Sequence, residues 1–141
     1  MPMTKGSHTA NTLLAFMAGV LAFLLFHQIA SSLVNGRVAW NISTRIAPFG
    51  IPQVFNQAFW GGIWGIVFAL AAPKFPRGLL WWVAALAFGA VLLPLVSWYV
   101  VPAIKGAALG PRNSIMNSMI VNGAWGVGMG VFWKLFGARA P

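Results

Sequence analysis

The sequence predicts an all-α protein, an integral membrane four-helix bundle formed as one unit over residues 1–141. Three observations predict it. Sixty per cent of the residues are hydrophobic and 6% are charged, against roughly 25% charged in an average soluble domain. Four apolar runs fall at residues 13–34, 51–72, 79–100 and 113–136, each long enough for a helix to cross about 30 Å of hydrocarbon. The nine Lys and Arg stand at or beyond the ends of these runs.

The first run, Leu13 to Val34, exceeds the ~7–15 apolar residues of a cleaved signal peptide, so a retained span is expected. The loop after it mixes Val38, Trp40, Ile42 and Ile46 with Arg37 and Arg45, the pattern of a segment lying at the membrane interface. The second run opens with Pro52, tolerated in a first turn. The loop from Pro73 to Gly78 is short enough to make the second and third helices antiparallel neighbours. The third run carries Pro94, a kink residue, between Trp81-Trp82 at one end and Trp98-Tyr99 at the other, as interfacial aromatic belts require. The fourth opens at an Asn113-Ser114 cap. Four spans put both termini on one side. Cation counts barely separate the two sides, but Lys74 and Arg77 in the tight loop favour cytoplasmic termini.

Shifting the sequence by 65 residues lays Leu21-Ala22-Phe23 on Leu86-Ala87-Phe88, Trp60-Gly61 on Trp125-Gly126, and Gly65 on Gly130. Two tandem two-helix repeats would produce this, and so would chance matching in low-complexity apolar sequence. The glycine pairs Gly61/Gly65 and Gly126/Gly130 are small-xxx-small motifs that let helix backbones approach closely. They predict packing of the second helix on the fourth, or a homodimer contact. Trp60, Trp64 and Trp125 fall near mid-helix, where an indole N–H needs an acceptor, and are expected to pack inward. The Trp-Gly-x-x-x-Gly helices resemble those of small four-span bacterial proteins. That likeness covers only these two helices, implies a bacterial inner membrane and names no activity.

Polar side chains inside apolar helices are costly and mark places to look for function. His27, Gln28, Ser31 and Asn35 close the first run. Gln53, Asn56 and Gln57 open the second, Ser97 lies near the end of the third, and Asn117, Ser118 and Asn122 open the fourth. Alternation of direction brings all of these to one end of the bundle. Two readings stand: ordinary interhelical hydrogen bonding, or a polar recess opening toward loops 1 and 3, rimmed by Arg37, Arg45, Lys105 and Arg112.

Composition excludes much chemistry. The chain has no Asp, Glu or Cys, so carboxylate acid–base pairs, thiolate nucleophiles and Cys-based metal sites are not available, and no metal site is expected. A b-type haem would want two axial His. His8 precedes the first run, so no haem at His27, and no cofactor, is expected. The formal charge of +9 is dispersed rather than clustered, which argues against nucleic acid and for anionic lipid headgroups or acidic partner subunits. Lys74 and Arg77 join the four rim cations as candidates for those contacts. The expected function is non-enzymatic: an accessory, assembly or scaffold subunit in contact with the bilayer, other membrane proteins or further copies of itself. The alternative is a small transporter or channel-like protein for a neutral or anionic solute using the recess.

Overall fold

The structure, a computed structural model, describes residues 5–112 and 114–137, with side chains from residue 8 onward. Asn113 and Arg139 lie outside the described residues. Four long helices dominate: α1 His8–Asn35, α2 Gln53–Lys74, α3 Leu79–Lys105 and α4 Ile115–Leu135. Each is long and apolar enough to cross a membrane.

The helix ends follow local chemistry. Helical structure preceding α1 reaches back to Lys5, well before residue 13, because no proline interrupts it; Thr12 Oγ1 bonds the His8 carbonyl at 2.9 Å. Gly36, at φ 66°, closes α1 by donating its N–H to Ser32 O at 3.1 Å, a left-handed cap that glycine adopts without steric cost. Helix α2 starts at Gln53 rather than 51 because Ile51–Pro52 (β2) pairs with Arg45–Ile46 (β1) in a two-residue antiparallel ladder. Helix α3 runs on to Lys105, where Gly106 at φ 66° ends it. Ser114 caps α4, accepting the Asn117 N–H at 3.3 Å.

Three stretches widen into π-helix: Phe23–His27 in α1, and Phe88–Leu92 and Val96–Val100 in α3. The latter two flank buried Pro94, whose missing N–H already breaks the ladder. Phe23–His27 and Phe88–Leu92 stand 65 residues apart.

Helix α1 packs along α2 and α4, while α3 packs chiefly on α4. The glycine stripes therefore find partners other than those the sequence suggested. Gly61 and Gly65 face Gly19 and Ala15 of α1, and Gly126 faces Ala85 and Gly89 of α3. Gly130 seats the Trp81 and Trp82 rings. The backbones of α2 and α4 meet little, since fully buried Trp125 stands beside Gly61. Matching close approaches, Gly19 with Gly89 and Gly65 with Gly126, correspond at shifts of 70 and 61 residues rather than a common 65.

Aromatic rings fill the interior on the side away from loop 1. Phe68 is fully buried and meets Phe75, Trp81, Phe88 and Trp125 edge-on at 5.2 to 6.3 Å. Helices α2 and α3 touch through these rings. Trp125 is 1% exposed and donates its indole N–H to Gly19 O at 3.1 Å, so its burial leaves no polar atom unpaired. Trp60, expected inside, is 53% exposed because its stretch of α2 turns glycine toward α1. Trp81, expected in an outer belt, is half-buried in the ring cluster, with Lys134 Nζ 4.2 Å from its centroid.

Candidate functional site

The π-helical turn in α1 is where the site begins. Gln28 N–H bonds Phe23 O, a five-residue step, and so bypasses the Leu24 carbonyl that an α-helical step would use. That carbonyl accepts the Trp40 indole N–H at 2.6 Å. The Trp40 backbone N–H bonds Gln28 Oε1 at 3.1 Å. Trp40 is held at φ 55°, a left-handed conformation that costs a non-glycine residue about 1–2 kcal/mol. Two hydrogen bonds from one residue offset that cost and fasten loop 1 against α1. The loop is thus folded back on the helix.

Behind this latch lies a cavity of about 400 Å³, within the range of small-molecule sites. Helix α1 lends His27, Gln28 and Ser31 to its wall; loop 1 lends Arg37, Val38, Asn41 and Thr44; α2 lends Gln53, Val54 and Gln57. Arg37 is the one charged lining residue. His27 stacks on Phe23 at 4.5 Å, and its Nδ1 is buried without a hydrogen-bond partner. A buried unpaired nitrogen costs about 1–3 kcal/mol.

The other polar residues named from sequence go elsewhere. Asn35 Nδ2 reaches Ser31 Oγ at 3.4 Å, and Asn35 Oδ1 accepts from Asn117 Nδ2 at 3.0 Å, so this pair ties α1 to α4. Asn122 Nδ2 turns back on Ser118, to its carbonyl at 2.8 Å and its hydroxyl at 3.4 Å. Ser97 is exposed on the outer face of α3, and half-buried Asn56 is outside the cavity wall. Arg45 Nη1 bonds Gly50 O at 2.8 Å across the β1–β2 turn rather than rimming the cavity. Lys74 and Lys105 are exposed as the last residues of α2 and α3, and Arg77 and Arg112 are exposed in the connections that follow them. The recess is thus a pocket of one hairpin and its loop, not of four converging helices. The sequence reading missed Val38, Asn41 and Thr44 in its wall, and Trp40 as the residue that fastens their loop to α1. Their loop reads as amphipathic, and nothing in its residue pattern signals the fold-back.

The cavity is closed toward the bundle interior. Gly19, Gly61 and Gly65 bring the α1 and α2 backbones together one to two turns deeper, and Trp125, Phe68 and Met129 are fully buried beyond them. Among the described residues no cluster of His, Cys, Asp or Glu could hold a metal ion. What the wall can do is bind: it offers amides, hydroxyls and one guanidinium to a polar group.

No family model matches the chain, and neither does any curated protein or solved structure compared with it.

Proposed function

We propose that the chain is an integral membrane protein without catalytic chemistry, acting as an accessory or scaffold subunit that holds anionic lipids or acidic neighbours at its two rims. The observation that carries this reading is the placement of its cations. Large apolar side chains stay outward along all four helices, with Leu33, Leu79 and Leu135 each more than 70% exposed, as lipid-facing positions would be. The cations stand at the helix ends and loops, and no side-chain carboxylate exists to neutralise any of them. Arg45 is spent on a backbone carbonyl and Lys134 on an indole face. The others need an external counter-charge. With Lys74 and Arg77 on the cytoplasmic side of a bacterial inner membrane, loop 1 and the cavity face the opposite side.

Gentle detergent extraction followed by native mass determination tests the reading. The expected result is a particle heavier than 15.1 kDa, carrying bound lipid, further subunits or a second copy. A bare monomer without retained lipid would remove the accessory role.

The cavity favours a second reading, binding of a neutral or anionic solute as the first step of its transport. Its closed inner end makes it a dead-end pocket in this conformation. Transport would require α1 and α2 to part at Gly19, Gly61 and Gly65. Uptake that survives Gln57→Leu would count against it.

A further inference from the structure

We infer that the loop 1 cavity is a binding site for a phosphate group, with Arg37 as its principal contact. The inference rests on the membrane reading above and adds the ligand class.

Backbone N–H groups can only donate, so the two that meet side-chain amides settle which way those amides point. Gln28 Oε1 takes the Trp40 N–H. Asn41 Oδ1 takes the Ser43 N–H at 2.8 Å and the Ser43 hydroxyl at 2.5 Å. Ser31 Oγ accepts from Asn35. Three acceptors of the wall are thus engaged within the protein, while the NH2 groups of Gln28 and Asn41 and the Ser31 hydroxyl remain to donate. Arg37 adds a guanidinium, a donor-only group whose fork matches phosphate oxygens.

A wall rich in donors, with one cation and no carboxylate, selects an acceptor-rich anion. A cationic ligand would meet Arg37 with no compensating charge. Carboxylates satisfy fewer donors than a phosphate, whose oxygens can serve several at once. The volume of about 400 Å³ holds a phosphate with a short polar substituent. Because the cavity sits at the end of two lipid-length helices, the phosphate could belong to a lipid headgroup or to a free phosphate ester.

The test uses the full chain in phosphatidylcholine nanodiscs, with phosphatidylglycerol titrated in one arm and glycerol 3-phosphate in solution in the other. Binding in either arm is expected to weaken at least tenfold in Arg37→Gln, whose side chain is exposed in the loop. Lys134→Gln makes the same charge change at the opposite end and is expected to bind as the parent does. Saturation by phosphatidylglycerol alone assigns the site to a headgroup; saturation by glycerol 3-phosphate assigns it to a free ester. Absence of binding in both arms overturns the inference, as does equal weakening by Lys134→Gln, which would mark diffuse charge attraction. Either failure leaves membrane residence and subunit association untouched, because those are read from extraction and native mass.

Discussion

The two hairpins of this molecule are built alike at their crossings and differently at their ends. In α1–α2, Gly19 lies against the Gly61 carbonyl; in α3–α4, Gly89 lies against the Asn122 carbonyl. Both use a small residue one turn before the glycine, Ala15 in one and Ala85 in the other, each packed on a glycine of the opposing helix. Both carry a π-helical turn near the crossing, Phe23–His27 one turn after Gly19 and Phe88–Leu92 around Gly89 itself. There the likeness stops. The first π turn ends in His27 and frees a carbonyl for Trp40, whereas the second ends in Leu92 and runs into Pro94. Both connections return to their helix, the one after α1 through Trp40 to a side-chain amide and a carbonyl bypassed by the π turn, the one after α3 through backbone alone, with Gly110 N–H on Trp98 O at 2.9 Å. A shared packing device holds both pairs together, and in the first the latched loop lends Arg37, Val38, Asn41 and Thr44 to a cavity wall.

The crossings should respond most strongly to mutation, and equally. An added methyl at Gly19 meets the Gly61 carbonyl and one at Gly89 meets the Asn122 carbonyl. Backbone cannot rotate away as a side chain can, so Gly19→Ala and Gly89→Ala should each lose about 2–3 kcal/mol through overpacking. Denaturant titration in detergent measures this. A large loss at Gly19 with none at Gly89 would break the equivalence of the two hairpins.

The latch comes next and should separate them. Trp40→Phe keeps an aromatic ring but removes the donor to Leu24 O, a change worth about 1–2 kcal/mol. Amide exchange over residues 37–46 should quicken while α3 and α4 keep their protection. Quickening throughout the chain would mean that loop 1 stabilises the whole bundle rather than its own hairpin.

A smaller effect belongs to the link between the hairpins. A double-mutant cycle on Asn35→Leu and Asn117→Leu should return a coupling of about 0.6–1 kcal/mol, typical of interhelical side-chain bonds in membranes. A coupling near zero would leave α1 and α4 held together by packing and by the Trp125 indole N–H on Gly19 O.

Different parts of this arrangement were legible to different degrees. Apolar run length marks the four helices, and the Gly36 and Ser114 ends follow from what glycine and serine do at helix termini. Spacing of Gly61 with Gly65 marks a smooth face, but every face of these helices is apolar, so spacing cannot tell which neighbour the smooth face meets. That is why α2 was matched with α4 when its glycines lie against α1. The cavity was half legible. His27, Gln28 and Ser31 share an end with Gln53 and Gln57, which alternation of helix direction reveals. Trp40 was not legible, because its left-handed backbone is sustained by partners 12 and 16 residues away. Ser97 and Asn122 were assigned inward on polarity alone, yet a serine or asparagine can satisfy itself on its own helix or stand at an outer face.

That last point supplies the smallest effect and the sharpest contrast between the hairpins. Ser97 is exposed on α3, so Ser97→Leu should change stability by no more than about 0.5 kcal/mol. Asn122 bonds within α4, so Asn122→Leu should leave ligand binding in the cavity unchanged even if it costs some stability. Gln57→Leu, in the wall itself, should weaken that binding. If all three variants bound ligand equally poorly, the recess would have to extend across the bundle to α3 and α4. Loss confined to Gln57→Leu keeps the site within α1, loop 1 and α2, where the π turn and Trp40 build it.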